Sequence, residues 1–134
     1  MKLFKNMKVS MLYQPKETAI EKLSGILFED EEVIGYFESS RAKLAFTSKR
    51  IIYIKGIDVP KARYYYSYRN VAAYGEKGNT LTLSLVNTPE YARFVLRIKD
   101  VKPTVNENNE TTDVGIVAAE KLEELCRFLG NLIW

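Results

Sequence analysis

The chain has 134 residues, of which 46% are hydrophobic and 28% are charged, and its formal net charge is +3. This length fits one domain, and the apolar fraction excludes a wholly disordered chain, which could not offset the entropy of ordering. Histidine is absent and Cys126 is the single cysteine, which excludes an intramolecular disulfide, a Cys/His zinc site and His-dependent catalytic triads. No apolar run approaches the length of about 20 residues that spans a bilayer. These properties predict a cytoplasmic, non-enzymatic protein with no catalytic residue, metal or cofactor.

The N-terminal part of the chain divides into an arm and a helix. Residues 1–13 mix basic and apolar side chains without a clear period, which predicts an irregular arm. From Pro15 onward the apolar residues recur at spacings of three and four, which predicts an amphipathic helix over 15–28. Its apolar stripe consists of Ala19, Ile20, Leu23, Ile26 and Leu27. We therefore assign 1–28 to an arm and helix that precede a domain spanning 29–134.

Period-two alternation begins after the acidic run 29–32. It is clearest in Thr80–Leu85, where leucine alternates with threonine and serine as in a half-buried strand. The pattern predicts seven strands near 33–39, 42–47, 50–55, 62–67, 71–76, 80–86 and 91–99. Short strands separated by turn residues are typical of an all-β barrel or sandwich.

The C-terminal part is predicted to be a polar loop, 100–112, and a helix, 113–132. The helix has an apolar stripe that includes Leu122, Leu125 and Cys126, and this stripe can be buried against the open end or face of the barrel. We expect Cys126 to be a small buried hydrophobic residue. The predicted core consists of Leu44, Phe46, Leu83, Phe94, Leu96, Leu122 and Leu125.

The segment 44–54, LAFTSKRIIYI, resembles the signature hairpin of bacterial pleckstrin-homology-like domains. That hairpin has an apolar strand, Thr-Asn-Lys-Arg and a second apolar strand; here Ser48 stands at the Asn position. The segments 32–34 and 66–71 are similar to the family's flanking segments, without the usual proline in the second. The resemblance covers 29–99 and implies a seven-stranded antiparallel barrel, or two orthogonal sheets, capped by a C-terminal helix. It also implies that assembly into symmetric oligomers occurs in the family, whereas ligand binding does not transfer by fold.

Positive charge is concentrated in the middle of the chain. Eight lysine and arginine residues lie between Arg41 and Arg69, against the single acid Asp58. A surface of this kind could meet anionic lipid headgroups, an acidic protein or nucleic-acid phosphates. The alternative is that these are solvated strand faces, whose lysines prevent edge-to-edge association. The candidate patch for an anionic ligand or partner consists of Arg41, Lys43, Lys49, Lys55, Lys61, Arg63 and Arg69.

Thr47 and Arg50 are set apart from this patch because they lie at the turn of the hairpin. We predict a structural role for both, with Arg50 donating hydrogen bonds to backbone carbonyl groups.

Tyrosine is abundant in the fourth predicted strand. Alternation places Tyr64 and Tyr66 on one face and Tyr65 on the other, so at least one ring is exposed or lies in an interface. The stripe of the 15–28 helix also needs an apolar surface, either the outside of its own domain or another chain. The candidate interface consists of Ile20, Leu23, Leu27, Tyr64, Tyr65 and Tyr66.

The sequence thus predicts a non-enzymatic interaction module that acts through protein contacts or self-assembly, with itself or another protein as partner. The alternative is peripheral binding to anionic membrane lipids through the 41–69 region. Nucleic acid is not favoured as a partner, because the total charge is small and no known RNA-binding motif is present. An enzyme of unknown type would require a pocket lined by convergent carboxylates.

Overall fold

The computed structural model describes residues 5–56, 62–78, 80–88, 91–98, 104–105, 111–112 and 114–133. The residues Tyr68–Asn70 form a 3₁₀ turn. In chain order the helices and strands are β1 (Lys5–Gln14), α1 (Lys16–Lys22), β2 (Val33–Glu38), β3 (Ala42–Thr47), β4 (Ile51–Lys55), β5 (Ala62–Tyr66), β6 (Val71–Lys77), β7 (Thr80–Leu85), β8 (Tyr91–Ile98), β9 (Thr104–Val105), β10 (Thr111–Thr112) and α2 (Val114–Ile133).

Eight strands form one sheet in the order β5-β4-β3-β2-β1-β8-β7-β6, which curls into a half-barrel. The mainly-β fold with a C-terminal helix and an N-terminal helix is confirmed. The seven predicted strands are β2 to β8, each within one residue of its expected bounds. The sheet has one strand more than predicted, and this additional strand is β1.

The prediction of an irregular arm over 1–13 is wrong for its described part. β1 lies in the middle of the sheet, antiparallel to β2 and parallel to β8. Its side chains do alternate, since Met7 and Met11 are buried while Lys8 and Ser10 are exposed. The barrel is therefore not wholly antiparallel, and the segment assigned to a separate arm completes its sheet.

The predicted helix over 15–28 is shorter in the structure, because α1 ends at Lys22. Gly25 follows at φ +84°, a backbone conformation that favours glycine and does not continue a helix. Ala19 and Leu23 are fully buried against the outer surface of β2, β3 and β4, in a second cluster that includes Ile52. Ala19 and Leu23 of the predicted stripe are thus buried on the outside of their own domain and Ile26 and Leu27 are partly buried there, whereas Ile20 is exposed.

The main core lies inside the half-barrel and includes the inner face of α2. All seven predicted core residues are buried, with exposures of 0 or 1%. Within the predicted 100–112 loop, the described residues form the short hairpin β9–β10; the rest of that loop lies outside the described residues.

Candidate functional site

A pocket of about 620 Å³ opens at one end of the half-barrel and is called the rim pocket below. It lies beside Ala42 and Lys55, which pair where β3 begins and β4 ends. The other end of the same hairpin, at Ser48 and Lys49, lines a different pocket together with Leu132 near the end of α2. The rim pocket is lined by Asn6, Met7, Lys8, Val9, Ser39, Arg41, Ala42, Tyr53, Lys55, Tyr64 and Tyr91.

Three cations from different strands and turns line this pocket. Arg41 lies in the tight β2–β3 turn, which is held by hydrogen bonds from the Arg41 and Ala42 amides to the Ser39 hydroxyl at 3.3 and 3.1 Å. Lys55 ends β4 and donates a hydrogen bond to the Tyr91 hydroxyl at 3.3 Å. Lys8 comes from β1. No carboxylate belongs to the described lining, so the rim pocket has the charge for an anionic group.

Tyrosine rings form the pocket wall. Tyr53 stacks on Tyr64 with ring centroids 6.1 Å apart, and Tyr91 meets both rings edge-on at 5.7 and 5.5 Å. Burial, followed by the neighbouring Tyr91 and Tyr64, raises the pKa of the Tyr53 hydroxyl to about 12. This hydroxyl therefore stays protonated at physiological pH and keeps a proton to donate.

The basic residues predicted as one patch occupy several surfaces. Arg41 and Lys55 reach the rim pocket, but Lys43 and Arg63 lie on the outer surface in register with Ile54 between them. Lys49 forms an ion pair with Asp30 at 2.9 Å. Lys49 also lines a second pocket with Arg69, and Lys61 lies outside the described residues.

Lys8 was missed by the sequence reasoning because 1–13 was interpreted as an irregular arm. The signal that could have identified it is the alternation of Met7, Val9 and Met11 with Asn6, Lys8 and Ser10.

Arg50 binds a buried carboxylate in addition to backbone. Its Nε and Nη2 donate to Glu31 at 3.0 Å each, and Nη2 also donates to the Ile26 carbonyl at 2.8 Å. The Thr47 hydroxyl donates to the same carboxylate. Burial alone would raise the pKa of Glu31, but Arg50, Thr47 and the Phe28 amide hold it below its usual value. Within the acidic run 29–32, Glu31 alone is turned inward, and its side chain is 0% exposed.

The candidate interface residues, like the basic residues, do not share one surface. Leu23 and Tyr66 are buried inside the chain, Leu27 packs partly on the second cluster, and Tyr64 lines the rim pocket. Ile20 and Tyr65 remain exposed, at 51% and 46%.

Other kinds of site are not found in the part of the chain that the structure describes. Its histidine, cysteine and acidic side chains form no group that could hold a metal ion. No helix there combines the length and apolarity needed to cross a membrane.

Comparison with known proteins identifies the fold. No family profile matches this sequence, and neither does any curated protein. A solved DUF1696 family protein with a pleckstrin-homology domain, from Shewanella loihica PV-4, is 13% identical, and the match covers 90% of this chain and 97% of that one with a TM-score of 0.57. A pleckstrin-homology domain from Shewanella amazonensis SB2B is 20% identical, with coverages of 83% and 99% and a TM-score of 0.42. The first likeness shows a pleckstrin-homology-like fold and confirms at that level the resemblance carried by the 44–54 hairpin.

Proposed function

We propose that this chain is a non-enzymatic, pleckstrin-homology-like binding module whose rim pocket takes an anionic group of its partner. The observation that supports it is that Lys8, Arg41 and Lys55 all belong to the lining of one pocket, and that no carboxylate belongs to its described lining. A phosphate of a lipid headgroup and an acidic side chain of a protein offer this same chemistry. Arginine and lysine bind both through charge-assisted hydrogen bonds.

The pocket is well suited to binding because much of it is held in place before a partner arrives. The three cations start from sheet strands or a hydrogen-bonded turn, and the tyrosine rings are packed against one another. A preformed site loses less conformational entropy on binding than a flexible one.

Calorimetric titration of the full chain with inorganic phosphate, an inositol polyphosphate and an oligoglutamate peptide would test this proposal. Vesicles containing phosphatidylserine would test whether the anion belongs to a membrane. Arg41→Gln with Lys55→Gln removes two pocket charges, whereas Lys43→Gln with Arg63→Gln removes two charges from the outer surface of the same hairpin region. Because exposed ionic contacts contribute about 0.2–1 kcal/mol each, the pocket variant should weaken binding about 2- to 30-fold. Equal effects of the two variants, or no binding of any probe, would contradict the proposal.

Contact with another protein chain is a second candidate function, which the exposed edge of the sheet supports. β5 is an edge strand, and the aromatic rings beside it are exposed, Tyr65 at 46% and Phe28 at 55%. Both rings contact the Arg50 guanidinium, with distances from its carbon to the ring centroids of 4.8 and 4.2 Å. Unpaired strand edges and exposed aromatic side chains are both features of protein interfaces.

Self-association at this edge would make the chain a homo-oligomer, and light scattering across a concentration series would detect it. Removal of residues 1–28 is not a suitable test, because it would delete β1 from the middle of the sheet. The matched variants are Tyr65→Glu, which should lower the mass, and Ile20→Glu, which should not. A wild-type protein that stays monomeric at about 100 μM would exclude self-association through an interface of ordinary size.

A further inference from the structure

The outward surface of β1, β8, β7 and β6, here called the basic face, concentrates positive charge. Lys8, Lys77, Arg93 and Arg97 are all exposed on it. Lys8, Arg93 and Arg97 point away from the core because they alternate with buried residues of their own strands, such as Met7 and Phe94. Lys77 is placed by its pairing with Thr80, the residue before buried Leu81. In the described part of these four strands, no acidic side chain belongs to this face; Glu76 lies in register with buried Leu81, on the opposite face.

The strand register places the four cations in a defined array. Across the sheet, Arg97 of β8 pairs with Thr80 of β7, and Thr80 pairs with Lys77 of β6, so that these three residues form one row. Arg93 lies two rows away on the same strand, and Lys8 lies in the row between them, opposite Val95. With about 3.3 Å per residue and 4.8 Å between strands, the array measures about 13 Å along β8 and 14 Å across the strands.

This footprint matches the charge density of a nucleic-acid duplex. Each strand of B-form DNA has one phosphate per about 3.4 Å of axis, so a length of about 14 Å presents about four phosphates on one strand. The basic face has four cations in the same length. Half-buried Val95 lies at the centre of the array, and the other positions between the cations hold serine, threonine, asparagine and small residues. The polar ones are side chains that commonly bond to phosphate and sugar groups.

We propose that the basic face binds the phosphate backbone of double-stranded nucleic acid without regard to sequence. The described part of the face carries no aromatic side chain on which an unpaired base could stack, which favours a duplex over a single strand. The exposed large apolar residues Ile20, Phe28 and Leu132 lie elsewhere, and Val86, just after β7, lies at the end of the face. One valine is a weak anchor for the acyl region of a membrane. The outer surface of a half-barrel is also convex, which limits its contact with a flat bilayer.

The small net charge of the chain conceals this face. The acidic residues are concentrated elsewhere, in the segment 29–32 and on the exposed side of α2, which includes Glu120, Glu123 and Glu124. A formal charge of +3 therefore coexists with a face of four cations.

The test is a fluorescence-anisotropy titration of the full chain against a labelled duplex of about 20 base pairs of mixed sequence, repeated over a range of salt concentrations. If four phosphates are neutralised, the logarithm of the binding constant should fall against the logarithm of salt with a slope of about −3.6. Arg93→Gln with Arg97→Gln should reduce the slope to about −1.8 and the affinity about 60-fold at about 0.1 M salt.

Three further variants identify the cause of any loss. Arg93→Lys with Arg97→Lys keeps the charge and should keep the slope, and it provides a test if the glutamine variant fails to fold by circular dichroism. Lys43→Gln with Arg63→Gln removes the same charge from another surface and should leave the slope near its wild-type value. Arg41→Gln with Lys55→Gln removes two charges from the rim pocket and should also leave the slope near its wild-type value. This variant therefore distinguishes duplex binding by the basic face from anion binding by the rim pocket.

Several results would overturn the proposal. They are the absence of duplex binding at low salt, a slope equally reduced in the 43/63 variant, and a slope unchanged in the 93/97 glutamine variant. Loss of binding to phosphatidylserine vesicles or to oligoglutamate in that variant, with duplex binding intact, would assign the face to a membrane or to an acidic protein instead.

Discussion

Replacing Arg50 by methionine tests the contact that joins the β3–β4 turn to the segment before β2. In the native protein Arg50 donates to both oxygens of Glu31 at 3.0 Å and to the Ile26 carbonyl at 2.8 Å. Methionine keeps an unbranched apolar side chain beneath the Phe28 ring but removes every one of these donors. The Glu31 carboxylate then stays buried, with only the Thr47 hydroxyl and the Phe28 amide as donors.

The expected loss is large because the Glu31 side chain is 0% exposed and that of Arg50 is 16% exposed. Removal of one partner from a buried ion pair costs about 3–5 kcal/mol of unfolding free energy, since the other charge is left in a medium of low dielectric constant.

The loss should depend on pH. The folded-state pKa of Glu31 lies below its ordinary value of 4.5. The ion pair therefore stabilises the protein fully above about pH 4.5, and this stabilisation is lost as pH falls through the folded-state pKa of Glu31. In the variant without Arg50, burial raises the pKa of the Glu31 carboxyl. The carboxyl then becomes protonated as pH falls, which removes the cost of burying its charge. The difference in stability between the two proteins should therefore narrow as pH falls toward about 4.

Urea unfolding followed by far-UV circular dichroism, at neutral pH and at about pH 4, measures both effects. Arg63→Met is the matched control, because Arg63 is exposed on the outer surface and should change stability by less than about 0.5 kcal/mol. A loss below about 1 kcal/mol at neutral pH, or a loss that does not change with pH, would refute the buried-pair argument.

Three other predictions follow from the packing. Leu83→Ala and Leu125→Ala should each lower the unfolding free energy by about 2–5 kcal/mol, and unchanged thermal midpoints for both would show that the core is misassigned. Burial, followed by Glu76, raises the pKa of the Cys126 thiol to about 12, so iodoacetamide should label it in urea but not in the native protein near neutral pH; fast native labelling would be inconsistent with this burial. Leu23→Ser should destabilise the protein by about 2–5 kcal/mol and Ile20→Ser by less than about 0.5 kcal/mol, and equal midpoints would argue against the packing of α1.

The local elements could be predicted well because each leaves a period in the sequence. A strand with one buried face alternates at period two, as the leucines of Thr80–Leu85 do, and the stripe of α2 repeats at helical spacing. The turn between β3 and β4 was also predictable, because Thr47 accepts hydrogen bonds from the Lys49 and Arg50 amides at 3.1 and 3.0 Å within the turn itself. The apolar face of each element was then expected to be buried, and every predicted core residue is buried.

Errors arose where a contact joins distant parts of the chain. The acidic character of 29–32 was evident, but not that Glu31 alone is turned inward, because its partner Arg50 lies 19 residues away. The end of α1 was placed too late because Ile26 and Leu27 continue the helical spacing after Gly25, although they pack on the second cluster from outside the helix.

Periodicity in the sequence was enough to predict seven of the eight strands of the sheet, the two helices and their apolar faces, and the 44–54 hairpin indicated a pleckstrin-homology-like fold. Which charged residues share a surface depends on the tertiary structure. The basic residues that cluster in the sequence at 41–69 separate onto several surfaces. Lys8 belongs to the lining of the rim pocket together with Arg41 and Lys55, and its register on the basic face lies between Arg93 and Arg97. The physical reason is that periodicity is a property of the local backbone, whereas the neighbours of a strand depend on pairing between segments far apart in the chain, such as β1 and β8.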